Sequence, residues 1–132
     1  MKEVAKKFGT YLDEDDFEGF KSILAEECIY EIGDQVLKTN SSIAGLYEKN
    51  MKEGKQKFDE LRWGKSEVQQ VSENEFDVYF SDFLKHKGLE HNYKCKQRII
   101  INSKNLVEKI QHMELAGERE ALQEFYKQVG LG

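Results

Sequence analysis

Apolar residues recur every three or four positions near both ends of the chain, a spacing that is typical of amphipathic helices. The first predicted helix carries Val4, Phe8 and Leu12 on one face and ends near Asp13. Asp13 is the predicted N-cap of a second helix, because its carboxylate can accept hydrogen bonds from the free amides there. The apolar face of this second helix comprises Phe17, Phe20, Ile23 and Leu24.

Two further helices are predicted from the same spacing. One begins at Asn40 or Ser41 and ends near Gly54, and the other closes the chain between Gly117 and Val129. Their inward-facing residues are predicted to be Ile43, Leu46, Tyr47 and Met51 in the first, and Leu122, Phe125 and Val129 in the second.

The rest of the chain alternates apolar and polar residues with a period of two, which predicts strands. An early strand starts at Cys28 and a short one covers Val36-Leu37, while Lys87-Gly88-Leu89 predicts a hairpin turn. The four later strands are expected at 58–71, 75–86, 91–101 and 106–115. Helices segregated from a long antiparallel sheet define the α+β class, here as one domain over residues 1–132.

The predicted strand 75–86 has apolar residues on both of its faces. Phe76, Val78 and Phe80 share the even-numbered face, but Tyr79 and Phe83 occupy the other one. A sheet with one face in water would alternate more regularly than this. We therefore expect helices to cover the even-numbered face and a second copy of the chain to cover the other, as a homodimer.

Composition and charge narrow the class of protein. Hydrophobic residues make up 39% of the chain, charged residues make up 34%, and the net charge is −5. An acidic chain without a basic cluster does not favour nucleic-acid binding, and its longest apolar runs are too short for a membrane span. The first four residues contain no apolar signal sequence, and Cys28 and Cys95 are too few for a disulfide framework. We therefore expect a cytoplasmic protein that binds neither nucleic acid nor a membrane.

Two adjacent segments carry a resemblance to a known family. Asp16-Phe17-Glu18-Gly19-Phe20 is followed by Ile23 to Glu31, which runs from a helix end with paired acids into a strand. This region resembles the N-terminal part of the nuclear transport factor 2-like superfamily, in its SnoaL-like branch, which is related to ketosteroid isomerase and scytalone dehydratase. The resemblance implies a cone-shaped fold, in which a curved antiparallel sheet wraps around N-terminal helices, with a C-terminal helix and an internal pocket. The superfamily hosts enzymes, binding proteins and scaffolds, so the resemblance leaves open whether this chain is an enzyme.

The same resemblance indicates that the catalytic positions of the isomerases are not retained. It places the tyrosine that donates to the developing oxyanion on Phe8, the proton-abstracting aspartate on Ile32 and the second acid near Gln97. Neither Phe8 nor Ile32 can transfer a proton or stabilise charge. Steroid isomerisation by that mechanism is therefore not expected, and both residues become candidates for the wall of the pocket.

Three polar residues interrupt strand faces that are otherwise apolar. Asp82 follows Phe80 on the even-numbered face, Gln97 lies in an apolar row of the next strand, and His112 follows Ile110 on the last strand. A polar group on a buried face needs a partner, and functional sites often explain such interruptions.

The first predicted hairpin gives Asp82 a neighbour. With Leu84 opposite His91, Asp82 lies opposite Tyr93, and neighbouring strands are about 5 Å apart. Desolvation would raise the pKa of Asp82 and make it a competent acid or base. Tyr93 would then donate a hydrogen bond to an oxygen of the substrate.

The second predicted hairpin extends this wall. With Ile101 opposite Leu106, Cys95 lies opposite His112, and Gln97 stays on the same face. His112 is then the second candidate acid or base, and Gln97 is the second candidate donor.

Each of these residues also has a simpler explanation. Asp82 lies near a strand end, where its carboxylate can reach water. His112 can be a structural or interface histidine, and Gln97 can serve only to cross-link strands. Cys95 has no activating neighbour in the sequence and fits a small buried hydrophobe.

We predict that the chain binds a small, largely apolar molecule and uses no cofactor or metal. His86 and His91 flank a hairpin, but no further residue completes a recognisable zinc site. The two alternatives are a cofactor-independent isomerase, cyclase or dehydratase that uses Asp82 and His112, and a dimeric scaffold with a vestigial pocket. The predicted ligand-binding residues are Phe8, Tyr30, Ile32, Trp63, Phe80, Tyr93 and Gln97.

Overall fold

The computed structural model describes residues 1–132 and contains four helices and seven strands. None of the helices is both long enough and apolar enough to cross a membrane. In chain order the elements are α1 (Lys2–Asp13), α2 (Phe17–Ser22), β1 (Leu24–Ile32), β2 (Gln35–Lys38), α3 (Asn40–Lys57), β3 (Glu60–Trp63), β4 (Glu67–Gln70), β5 (Glu75–His86), β6 (Leu89–Ile101), β7 (Val107–Glu114) and α4 (Glu118–Gln128).

All seven strands belong to one curved sheet, which confirms the predicted α+β class. The order across the sheet is β2-β1-β7-β6-β5-β3, and β4 pairs with β5 beyond the end of β3. Every pairing is antiparallel except that of β1 with β7. The expectation of a wholly antiparallel sheet is corrected at this one pairing, because the last strand of the meander returns to lie beside the first strand of the chain.

The main core fills the concave side of the sheet. It contains 16 buried residues contributed by α1, α2, α3 and the inner face of the sheet. Phe8 on α1 and Phe20 on α2 are fully buried, and their rings meet edge to face at 5.3 Å between centroids. A smaller cluster lies where α4 packs over the sheet and comprises Phe58, Leu84, Phe125 and Val129.

The start of α2 differs from the prediction. Its N-cap is Asp16, whose Oδ1 accepts a hydrogen bond from the Gly19 amide at 2.9 Å. Asp13 instead ends α1, and its Oδ2 accepts hydrogen bonds from both the amide and the hydroxyl of Ser66 at 2.8 Å. The cap prediction for Asp13 was wrong because Asp16 is the acid that immediately precedes the helix.

The strand expected at 58–71 is two short strands, β3 and β4, which pair with successive parts of β5. The break falls at residues 64–66, although the Gly64 amide still donates to the Ser81 carbonyl oxygen at 2.9 Å. A Cβ atom at position 64 would lie only 2.9 Å from the Phe83 ring, so the chain passes too close to β5 for a side chain.

The register of the first hairpin agrees with the prediction. Lys87 and Gly88 form a two-residue turn with φ of 50° and 80°, the left-handed backbone that such tight turns require. Leu84 therefore lies opposite His91, and Asp82 lies opposite Tyr93.

The register of the second hairpin was predicted wrongly by two residues. His112 lies opposite Gln97, and Cys95 lies opposite Glu114. One residue of the difference comes from the loop at 102–106, and the other from a bulge in β7, because Ile100 pairs with Lys109 while Ile101 pairs with Val107. Sequence periodicity does not show an inserted residue of this kind.

The outer face of the sheet carries a buried ion pair that the sequence analysis missed. Asp77 on β5 is 4% exposed, and Arg98 opposite it on β6 donates to both carboxylate oxygens at 2.8 and 3.0 Å. Lys96 adds a third contact at 3.3 Å. Hydrogen bonding to Arg98 lowers the pKa of Asp77, so the carboxylate stays charged and fixes the β5–β6 register.

Candidate functional site

A cavity of about 320 Å³ lies between the concave face of the sheet, α3 and α4. This volume falls at the lower end of the range of about 300–1,000 Å³ that is usual for ligand pockets. Of the 22 lining residues, 14 are hydrophobic, so most of the wall is apolar. Its aromatic members are Phe17, Tyr30, Tyr47, Phe58, Trp63, Phe80, Tyr93 and Tyr126.

Asp82 is the polar group at one end of the cavity. It points from β5 between Trp63 on β3 and Tyr93 on β6, which lie opposite it on the two neighbouring strands. No protein group hydrogen-bonds to its carboxylate, although the carboxylate lies in the cavity wall. Burial raises the pKa of Asp82 to about 7. The carboxyl group is therefore poised to hold or release a proton near neutral pH.

A second polar group lies at the other end. Gln97 is 7% exposed, and its Oε1 accepts a hydrogen bond from the hydroxyl of Tyr47 on α3. The ring of Tyr30 packs edge to face on Tyr47 at 5.5 Å between centroids. Burial raises the pKa of Tyr47 well above its usual value and that of Tyr30 to about 12, so both hydroxyls remain protonated donors.

Tyr47 is a member of the site that the sequence analysis treated only as a core position. The sequence feature that could have identified it is a hydroxyl group within the apolar stripe of α3, because a buried phenol requires a hydrogen-bond partner. The partner, Gln97, is 50 residues away along the chain. No local pattern connects them.

His112 belongs to the Gln97 end of the cavity. It lies opposite Gln97 on β7, and burial lowers the pKa of its imidazole, although nearby Glu114 partly opposes this. The strand pairings place Asp82 and His112 two strands and four residues apart on one face of the sheet, so the two residues occupy different positions along the cavity wall.

Two aspartates at the junction of α1 and α2 also belong to the polar lining. Asp15 accepts a hydrogen bond from the indole Nε1 of Trp63 at 2.7 Å and pairs with Lys55 at 2.9 Å. Its φ of 55° is uncommon for a residue other than glycine, and this backbone directs the carboxylate toward Trp63. Asp13 holds Ser66, as described above. The sequence analysis treated Asp13 only as a helix cap.

The described chain contains no group of three His, Cys, Asp or Glu side chains arranged to hold a metal ion. Cys95 lines the cavity, and burial raises the pKa of its thiol to about 12. It therefore contributes a neutral, weakly polar patch to the wall.

Three solved structures show what the architecture resembles. A protein from Xanthomonas campestris pv. campestris, proposed to be a polyketide cyclase, has a TM-score of 0.69 and 11% identity, covering 97% of this chain and 95% of its own. RV0760c from Mycobacterium tuberculosis, in complex with estradiol-17beta-hemisuccinate, has a TM-score of 0.65 and 12% identity, covering 87% and 93%. An LEH-like epoxide hydrolase from M. tuberculosis has a TM-score of 0.66 and 11% identity, covering 97% and 94%.

The chain has the nuclear transport factor 2-like fold. Neither a protein-family model nor a curated protein matches the sequence. At 11–12% identity, the three structures establish the architecture alone. The resemblance noted from residues 16–31 is thereby confirmed at the level of the fold.

Within the nuclear transport factor 2-like fold, most of the predicted site residues line one cavity. Their positions in the wall do not test their predicted roles in binding or catalysis, which stay predictions. These residues are Tyr30, Trp63, Phe80, Asp82, Tyr93, Gln97 and His112.

Two predicted wall residues lie elsewhere. Phe8 is fully buried in the core, one helical turn before Leu12, which does line the cavity. Ile32 is 38% exposed at the last position of β1, beside the turn at Gly33, where the strand has already passed the cavity. The expectation that Phe8 and Ile32 contact the ligand is therefore corrected.

Proposed function

We propose that the protein binds a small, largely apolar molecule in this cavity. The supporting observation is a cavity of about 320 Å³ with a mainly hydrophobic lining and a carboxyl group, Asp82, that has no protein partner. Apolar walls supply most of the affinity in such pockets, and a few polar groups orient the ligand.

The polar groups at the two ends support an oriented mode of binding. Asp82 offers a carboxyl group at one end, and the Tyr47–Gln97 pair with His112 offers hydrogen-bonding atoms at the other. A ligand with an apolar body and a polar group at one or both ends would satisfy this wall.

The test compares two phenylalanines three residues apart on β5. Phe80 lines the cavity, whereas Phe83 lies on the outer face with Arg62 over its ring at 4.2 Å. A thermal-shift screen of small metabolites should find a compound class that raises the melting temperature with concentration. Phe80→Ala should weaken binding of that class about tenfold, because aromatic contact area is lost, and Phe83→Ala should leave it within about twofold.

Two results would contradict the proposal. One is a screen in which no compound class raises the melting temperature. The other is equal weakening of binding by both alanine variants, since that would locate the binding site away from the cavity.

A second candidate is a cofactor-independent isomerase, cyclase or dehydratase. It is favoured by one observation, the pKa of about 7 that burial gives Asp82, which suits a general acid or base. The separation between Asp82 and His112 favours Asp82 as the residue that moves the proton, with His112 and Gln97 holding the far end of the substrate. Mass spectrometry of a ligand found in the screen, after incubation with the protein, distinguishes turnover from binding.

We also propose that the protein is a cytoplasmic homodimer that associates through the outer face of the sheet. The partly exposed rings of Tyr79 and Phe83 on that face support the dimer, and two free cysteines suit a reducing compartment. Light scattering should give the mass of two chains, and Tyr79→Glu should halve it. A wild-type mass of one chain would contradict the dimer.

The cavity volume argues against the remaining alternative, a scaffold whose pocket is vestigial.

A further inference from the structure

The charges that line the cavity are all of one sign. Three of its 22 lining residues are aspartates, and none is a lysine or an arginine. Its one histidine, His112, has a pKa that burial lowers, so the imidazole is neutral at pH 7 and above. An anionic ligand would find no positive charge in this wall.

Only one of the three aspartates is free to bind a ligand. Both oxygens of Asp15 are engaged, one by the Trp63 indole and the other by Lys55. Asp13 uses Oδ2 to hold Ser66, and its Oδ1 is shielded from solvent. The Asp82 carboxylate has no protein hydrogen bond and is not shielded in this way.

Three aromatic residues neighbour Asp82 on the sheet. Trp63 and Tyr93 lie opposite Asp82 on the two neighbouring strands, and directly opposed side chains have Cβ atoms about 5 Å apart. Phe80 lies on the same face of the same strand, two residues earlier. A carboxylate between aromatic rings provides an opposite charge and the negative ring faces that attract a cation.

We propose that the ligand is a compact apolar molecule carrying one protonated amine, and that Asp82, flanked by Trp63 and Tyr93, binds the ammonium group. This inference rests on the function proposed above and adds the chemical class of the ligand. The ammonium group would pair with a charge that is partly buried and has no partner in the protein, so binding would offset the free-energy cost of that buried charge.

If Asp82 pairs with the ammonium group, the affinity for an amine ligand should depend on pH. Asp82 has a pKa of about 7, so it is mostly protonated at pH 6 and mostly charged at pH 8, while an alkylammonium stays protonated over this range. The other groups facing it from β6 are Tyr93 and Cys95, whose pKa values burial raises to about 12, so neither titrates here. The other titratable groups that line the cavity are Asp13, Asp15, Tyr30, Tyr47, His112 and Tyr126.

Three probes with the same phenylbutyl carbon skeleton test the inference: 4-phenylbutylamine, 4-phenylbutan-1-ol and 4-phenylbutyrate. Calorimetric titration at pH 8 should give the amine a Kd tenfold to a hundredfold below that of the alcohol, roughly the value of a charge-assisted hydrogen bond. The butyrate should bind most weakly. Amine affinity should rise about tenfold between pH 6 and pH 8, whereas alcohol affinity should not follow this rise.

Two variants separate the role of Asp82 from the overall charge of the chain. Asp82→Asn should bring the Kd of the amine to within about twofold of that of the alcohol and abolish the pH dependence, while Asp82→Glu should retain the preference for the amine. Asp34→Asn removes one exposed carboxylate in the β1–β2 turn. It should change neither the preference for the amine nor the pH dependence of amine binding. A melting curve for each variant verifies that it is folded.

The outcomes distinguish the two proposals. Equal affinity for amine and alcohol, or a preference for the butyrate, overturns the inference about the amine and leaves a cavity that binds apolar molecules. An amine preference that persists in Asp82→Asn also overturns it, because the charge would then be recognised elsewhere. If none of the three probes binds at millimolar concentration and the metabolite screen also fails, the proposed function fails with it.

Discussion

Replacing Asp82 by asparagine should stabilise the folded protein at pH 8 by about 4 kcal/mol and leave its stability below about pH 4 unchanged. The reason is the environment of the carboxyl group, which the cavity wall partly buries without offering it a hydrogen-bond donor. The amide is close to the same size as the carboxylate but carries no charge.

The sign follows from the direction of the pKa shift. Burial raises the pKa of Asp82 in the folded chain to about 7, against about 3.9 for an unfolded aspartate. Between these values the folded state binds more protons than the unfolded state, so stability falls as the pH rises from about 4 to about 7. Three pKa units correspond to about 4 kcal/mol, and this whole difference is present at pH 8 because the neutral amide replaces the neutral carboxyl group of the low-pH state.

Urea unfolding of both proteins at pH 4, 6 and 8 measures this difference. The stability of wild type minus that of Asp82→Asn should grow more negative as the pH rises and level off above about pH 7. Asp34→Asn again provides the control, since that carboxylate is exposed in the β1–β2 turn. If the difference in the free energy of unfolding between wild type and Asp82→Asn does not change with pH, Asp82 is solvated in the folded state.

A stabilising substitution at this position has a functional meaning. Proteins that retain a destabilising polar group usually need it for binding or catalysis, and removing it trades activity for stability. Asp77 provides the contrast within the same strand. The Asp77 residue is 4% exposed, but Arg98 and Lys96 pair with its carboxylate and lower its pKa. The two aspartates differ in their partners, and only the unpaired one faces the cavity.

The sequence was sufficient to predict the fold class, most element positions and the face of β5 that lines the cavity. Strict period-two alternation from Phe76 to Leu84 assigns Asp82 to that face, and the two-residue turn at Lys87-Gly88 sets its partner as Tyr93. These features are local, so the sequence records them.

The features that could not be predicted depend on distant parts of the chain. The loop at 102–106 and the bulge in β7 together moved His112 from Cys95 to Gln97, and no periodicity records an added residue inside a regular strand. The Tyr47–Gln97 and Asp15–Trp63 contacts join residues 50 and 48 positions apart, and each requires the packed fold to bring its partners together. The sequence therefore identifies candidate polar residues, but tertiary contacts decide which of them remain free.

Phe8→Ala should destabilise the protein by about 3–5 kcal/mol, the usual cost of removing a fully buried phenylalanine ring. Phe8 is completely buried, with the rings of Phe20 and Phe80 at 5.3 and 6.3 Å between centroids. The void left by its ring would be enclosed by well-packed neighbours that cannot collapse into it. Urea unfolding at pH 6 measures the loss, and Phe8→Leu, with an expected cost of about 1–2 kcal/mol, serves if the alanine variant does not fold.

Phe80→Ala is the matched comparison, and it should cost only about 1–2 kcal/mol. Phe80 borders a cavity that already exists, so its removal enlarges a space that a ligand or water can occupy and creates no new sealed void. The resemblance to the isomerases placed Phe8 in the pocket wall, whereas its burial places it in the core. If Phe80→Ala proved as costly as Phe8→Ala, the two rings would serve the same core. The wall that we assign to Phe80 would then be part of the structural interior, and the cavity would lose the side on which Asp82 lies.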